Sequence, residues 1–80
     1  MAARSKIKLP ELGEGIETAT VVEWHAAAGD TVEAGVPLLT VETDKIDTEV
    51  PSPMGGILVE IIASVGAELA TGDPVCIIEG

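Results

Sequence analysis

Laid over itself with an offset of 37 residues, this chain of 80 residues matches in a single register along most of its length. Val21-Val22-Glu23-Trp24 falls on Leu58-Val59-Glu60-Ile61, Gly29 on Gly66, Val32 on Leu69 and Gly35 on Gly72. Pro37 then falls on Pro74, Leu39 on Cys76, Val41 on Ile78 and Glu42 on Glu79. Glycines, prolines and apolar positions coincide together, so the chain is two copies of one unit. Each unit reads as a long strand, a Gly turn, a short strand, a second Gly and a third strand. Neither can close a core alone, and the pattern predicts an all-β domain. Its form is a flattened sandwich or barrel of two antiparallel sheets with quasi-twofold symmetry.

Composition supports strands over helices. Nine Gly and five Pro are spread along the chain, and the apolar residues are almost all Val, Ile, Leu and Ala, with one Trp and no Phe or Tyr. Eighty residues fit one domain, 1–80 with a core over about 6–79, burying roughly 60% of the unfolded surface. Alternation around Leu39-Thr40-Val41-Glu42 places Leu39 and Val41 inward, with Cys76 and Ile78 as their counterparts. On the longer strands Val22, Trp24, Val59 and Ile61 are expected inward, and Glu23 and Glu60 toward solvent. Gly29-Asp30 and Gly72-Asp73 mark turns.

The repeat also positions a lysine. Thr40–Thr43 and Asp47–Val50 are strand-like, and Asp44-Lys45-Ile46 leaves just enough chain for a tight turn, with Asp44 placed to accept hydrogen bonds from backbone amides. Lys6 and Lys8 belong to the N-terminal strand, so Lys45 is the sole lysine in the body of the domain. Adding the offset to Lys45 runs past the chain end, and subtracting it lands on Lys8 near the N-terminus. The Lys45 hairpin tip is therefore expected opposite the termini. On composition alone Lys45 reads as a solvated charge at a turn.

Several function classes are excluded or disfavoured. The formal net charge is −10, from fourteen acidic and four basic residues, which disfavours nucleic acid and anionic membrane surfaces as partners. It suits solubility and mutual repulsion between copies, and equally a surface complementary to basic partners. No segment approaches the roughly 20 apolar residues of a membrane span. Cys76, the only cysteine, lies in an apolar run and reads as a buried, inert thiol. Asp44, Asp47 and Glu49 lack the spacing of a calcium loop, so no metal is expected. His25 reads as a solvated strand end, Trp24 as packing, and Ser52 and Ser64 have no His–Asp partners. The glycines match neither a P-loop nor a dinucleotide fingerprint. Catalytic residues are therefore expected to be absent.

Three stretches carry a resemblance: Leu9-Pro10-Glu11-Leu12-Gly13-Glu14-Gly15, Glu42-Thr43-Asp44-Lys45-Ile46, and Val50-Pro51-Ser52-Pro53-Met54-Gly55-Gly56. Together with the repeat they resemble the lipoyl domains of the acyltransferase component of 2-oxo acid dehydrogenase complexes, from about Lys6 to Glu79. The resemblance implies a barrel-sandwich hybrid and a carrier that is not itself an enzyme. It implies lipoic acid joined by an amide to Lys45, accepting an acyl group from a thiamine diphosphate-dependent 2-oxo acid decarboxylase. Delivery to the acyltransferase catalytic domain of the same chain, for transfer to coenzyme A, and reoxidation by dihydrolipoamide dehydrogenase would follow. A lipoate-attaching enzyme is a further implied partner, and the isolated domain is expected to be monomeric.

Turn and recognition residues carried over from the resemblance are Asp44, Ile46, Leu12, Gly13, Glu14 and Gly15, the last four within a loop, Leu12–Glu17, that the resemblance implies lies near the hairpin. The family usually has Ala after the lysine; Ile46 here alters what the turn offers to partners. The alternatives are a biotinyl carrier domain, whose lysine typically has Met on both sides, and an unmodified structural lipoyl-like domain, which lacks the Asp-Lys turn. A start at Met1 without a transit peptide favours a bacterial cytoplasm over a mitochondrial matrix.

Overall fold

Short runs of Val, Ile, Leu and Thr broken by Gly and Pro form eight strands among the described residues, 3–13 and 15–80, of the computed structural model. They are β1 (Arg4–Lys8), β2 (Thr18–Trp24), β3 (Thr31–Val32), β4 (Pro37–Glu42), β5 (Asp47–Pro51), β6 (Gly56–Ile61), β7 (Glu68–Ala70) and β8 (Pro74–Glu79). Two four-stranded antiparallel sheets result, with orders β1-β8-β6-β3 and β5-β4-β2-β7. The sandwich expected from the repeat is present, and its halves interlock. β3 of the first unit edges the sheet of β6 and β8, while β7 of the second edges the sheet of β2 and β4. The repeat extends to backbone conformation: Gly29 and Gly66 have φ of 98° and 93°, and Gly35 and Gly72 have 90° and 91°. These left-handed turns favour residues without a Cβ.

Leu39, Val41, Cys76 and Ile78 are fully buried, as alternation predicts, together with Leu38, Leu58 and Val75. Val22 and Val59 depart from expectation. In the β2–β4 ladder Val21 pairs with Val41, but the next pair is Glu23 with Thr40, so two residues of β2 oppose one of β4. The same slip occurs in β6, where Leu58 pairs with Ile78 and Glu60 with Ile77. A bulge of this kind shifts the phase of the alternation. Val21 and Leu58 therefore take the core positions, Val22 is left 41% exposed and Val59 half-buried. Beyond the bulges Trp24 and Ile61 pack against the core as expected. The Trp24 indole N–H donates to the Ala63 carbonyl at 2.7 Å, joining β2 to the segment after β6.

Ala3, the first described residue, and Gly80 lie together. Ala3 and Gly80 exchange backbone hydrogen bonds of 3.0 Å, and Gly80 packs on the Gly55 carbonyl and the Met54 side chain. Met54 and Gly55 follow β5, which runs away from Lys45 for five residues, about 16 Å. Ala3 and Gly80 therefore stand at the end opposite Lys45, as the forward offset past the chain end suggested, but the backward match to Lys8 fails. Lys8 pairs with Pro74 at the far end of β1 from Arg4 and Glu79. The place equivalent to the Lys45 turn is the break between Gly80 and Ala3, because β1 corresponds to β5 rather than continuing the 37-residue register. An ion pair of 3.9 Å between Arg4 and Glu79 lies beside that break.

Two tests follow from this packing. A Cβ on Gly56 would run into the Glu79 carbonyl oxygen and come within 2.9 Å of the Ile78 Cγ2 atom. Gly56→Ala is expected to cost roughly 2–4 kcal/mol in urea unfolding. Gly35→Ala, with nothing within 4 Å, should cost only about 1–2 kcal/mol for its positive φ. Equal losses would refute the steric account. Burial raises the Cys76 thiol to a pKa of about 11 from 9.0. Its contribution to stability is present below pH 9 and lost as pH rises toward 11. A thiol reagent at pH 8 should label Cys76 in urea and leave the native domain unmodified over the same interval.

Candidate functional site

The ladder between β4 and β5 sets the site. Leu39 pairs with Val50, Thr40 with Glu49, Val41 with Thr48 and Glu42 with Asp47, leaving Thr43–Ile46 to close the hairpin. Tight hairpin turns commonly need φ > 0 at one or both central residues. No described residue other than glycine has positive φ, so Asp44 and Lys45 turn the chain by another route. The Thr43 N–H donates to the Ile46 carbonyl at 2.8 Å. In the opposite direction a side chain takes over: the Ile46 N–H donates to Thr43 Oγ1 at 2.9 Å, and the Lys45 N–H donates to it at 3.2 Å. The hydroxyl itself donates to the Ile46 carbonyl at 2.8 Å. Its one proton and two lone pairs are all engaged.

Sequence reasoning gave this amide-binding role to Asp44. The structure gives it to Thr43, and Asp44 stands exposed beside it. A Thr bonding amides two and three residues onward is a known local motif. The signal was present, but Thr43 was read as the last residue of a strand.

Lys45 is exposed in the middle of this turn. It forms no ion pair among the described residues. Its Nζ lies 3.2 Å from the point where a Cβ would project from Gly15, whose φ is +81°. A glycine there leaves room for the amine. Gly15, Ile16, Glu17 and Thr18 form one wall of a shallow cleft, and Thr43, Asp44 and Lys45 form the other. The loop carrying the first wall is pinned at its base. Leu9 N–H donates to Asp73 O at 2.8 Å, Gly72 N–H to Leu9 O at 2.9 Å and Thr71 N–H to Glu17 O at 3.1 Å.

The recognition residues expected from sequence are thus distributed unevenly. Gly15 and Asp44 meet Lys45 at the cleft. Ile46 is in the turn, 45% exposed, outside the cleft lining. Leu12 packs against the core, and Gly13 supports Ile16, whose Cδ1 would lie 3.3 Å from a Cβ there. Glu14 lies outside the described residues. Ile16 and Glu17 fall inside the loop expected near the hairpin, whereas Thr18, the first residue of β2, was outside that expectation because it reads as ordinary strand. His25 lies elsewhere, with Nε2 2.6 Å from Thr40 Oγ1 and 3.9 Å from Glu49 Oε2. Among the described residues no group of three or more His, Cys, Asp or Glu is arranged to hold a metal.

Comparison with known proteins places this geometry. The family model described as "Biotin-requiring enzyme", Biotin_lipoyl, matches residues 5–78. The dihydrolipoyllysine-residue acetyltransferase component of the pyruvate dehydrogenase complex of Corynebacterium glutamicum is 52% identical over 61 residues, 76% of this chain and 9% of that protein. The lipoamide acyltransferase component of the branched-chain alpha-keto acid dehydrogenase complex of Bacillus subtilis is 36% identical over 77 residues, 96% of this chain and 18% of that protein. Among solved structures, the lipoyl domain of the Azotobacter vinelandii 2-oxoglutarate dehydrogenase complex superposes with a TM-score of 0.70 at 30% identity. That match covers 91% of this chain and 92% of that one. Kluyveromyces lactis urea carboxylase reaches 0.79 at 25% identity, over 95% of this chain and 6% of that one. Shape alone is therefore shared across the family, and sequence separates its branches. The chain belongs to the biotin–lipoyl family, and within it to the lipoyl domains of the acyltransferase components of 2-oxo acid dehydrogenase complexes. It spans between 9% and 18% of the length of the acyltransferase components just compared.

Proposed function

We propose that this domain is a non-catalytic carrier whose Lys45 bears lipoic acid in amide linkage, within a longer acyltransferase working in a bacterial cytoplasm. The observation that carries the reading is the lysine's setting. An exposed amine sits in the centre of a turn closed by side-chain and backbone hydrogen bonds, at the end opposite both termini. The residues present fit the group: the amine reaches solvent, and the cleft beside it leaves space over Gly15. When attached, lipoic acid supplies a dithiolane that takes an acyl group from a thiamine diphosphate-dependent decarboxylase and passes it toward coenzyme A.

The chain's own contribution is geometric. Amide formation removes the charge of Lys45, and since the amine forms no ion pair among the described residues, attachment breaks no existing contact of that kind. Tethering at the opposite end keeps the arm at high local concentration among the partners. Those partners are the decarboxylase, the acyltransferase domain of the same chain, dihydrolipoamide dehydrogenase and the lipoate-attaching enzyme. Pyruvate, 2-oxoglutarate and branched-chain complexes all contain relatives matching this chain, at 52, 47 and 36% identity. In this reading the 2-oxo acid is chosen mainly by the decarboxylase, which reads the loop Leu12–Glu17 together with Asp44 and Ile46.

Incubation with lipoic acid, ATP and a lipoate-attaching enzyme should add one lipoyl group, mapped by peptide mass spectrometry to Lys45. Lys45→Arg should remain unmodified while keeping its melting temperature. A biotinyl group gained instead from biotin and its ligase would reverse the assignment. Reductive acylation of the lipoylated domain should fall about tenfold for Glu17→Gln or Ile46→Ala, with unfolding shifted by less than about 1 kcal/mol. Wild-type acylation rates in both variants would remove the recognition role.

A further inference from the structure

We propose that Thr43 is the positioning residue for modification of Lys45: its side-chain hydroxyl closes the turn and presents the lysine to the attaching enzyme in a fixed direction. This rests on the reading of Lys45 as the attachment site and adds a residue to it. Two central residues with ordinary side chains cannot easily adopt the positive φ values that close a two-residue hairpin loop. Thr43 Oγ1 substitutes for the missing backbone acceptor, binding the N–H groups of Lys45 and Ile46, while its proton goes to the Ile46 carbonyl. Every polar backbone contact in this set belongs to the lysine or to its C-terminal neighbour. The root of the lysine side chain is therefore held by a side chain rather than by the strand ladder.

Thr43 continues the alternation of Leu39 and Val41, so it projects toward the inner side of β4 and is only half exposed, whereas Asp44, Lys45 and Ile46 are all exposed. The hydroxyl is held by its three hydrogen bonds within the turn, and the amine is left free.

The chemistry makes the direction matter. ATP converts the lipoate carboxylate to an acyl adenylate with release of pyrophosphate. The unprotonated Lys45 amine then attacks the acyl carbon, a C–N bond forms, the C–O bond to the adenylate breaks with its electron pair, AMP departs, and the nitrogen sheds one proton. A turn disordered over residues 44–46 must be ordered when the attaching enzyme docks, and that cost enters binding.

The test compares wild type, Thr43→Val, which keeps the shape without the hydroxyl, and Thr43→Ser, which keeps the hydroxyl. Lipoylation is followed by intact mass with lipoic acid, ATP and a lipoate-attaching enzyme. Thr43→Val should lose about tenfold in kcat/KM, carried by KM with kcat little changed, and Thr43→Ser should restore it. In the same samples the NMR order parameters of the Asp44, Lys45 and Ile46 amides should drop in Thr43→Val, with those of β4 and β5 unaltered. A Val variant modified with the wild-type KM, a Ser variant as slow as Val, or unchanged order parameters overturns the proposal. Wild type that gains no lipoyl group at all overturns the attachment reading instead.

Discussion

Strand β4 is where the core and the functional end of the molecule meet. Leu39 and Val41 are completely buried, and β2 and β5 flank the strand on either side. Two residues past Val41 stands Thr43, on the same side of the chain, holding the turn that carries Lys45. The exposed amine thus inherits its position from aliphatic packing only a few residues away. A flexible side chain of four methylenes is used for reach, and its root is fixed by burial of Leu and Val. In a domain of 80 residues with a single aromatic residue, that economy decides how much rigidity reaches the surface.

The doubled unit made most of the architecture legible before any coordinates. Strand positions, left-handed glycines and the inward faces of β4 and β8 all followed from matching one half of the sequence to the other. What did not follow were features that depend on a partner strand. Val22 and Val59 were assigned inward because alternation was carried straight through β2 and β6. Each strand contains one extra residue relative to its neighbour, and only the cross-strand pairing exposes it. Val21-Val22 and Leu58-Val59 are adjacent apolar pairs, so either member could have filled the core position.

The site divides in the same way. Lys45 was legible through its hairpin position and the resemblance, Gly15 through the resemblance alone, and they do meet. Asp44 was chosen as the turn's hydrogen-bonding residue because Asp commonly acts so, yet the preceding Thr43 takes that place. Thr is as comfortable in a strand as at its end, so propensity could not rank the two. Leu12, chosen with the recognition loop, is half-buried and packs against the apolar core. The loop between β1 and β2 is therefore part anchor and part surface: among its described residues Gly15, Ile16 and Glu17, followed by Thr18 at the start of β2, line the cleft beside the lysine.

The mutual hydrogen bonds of Ala3 and Gly80 give the domain a topological character of its own. Its eight strands form a ring cut at one link, and the cut lies where symmetry would place a second hairpin. Joining the two ends by a short loop and reopening the ring at another turn would preserve every strand pairing. A pull on both ends of the domain would load β1 and β8 as a zipper, parting their hydrogen bonds one pair after another from Arg4 and Glu79 inward.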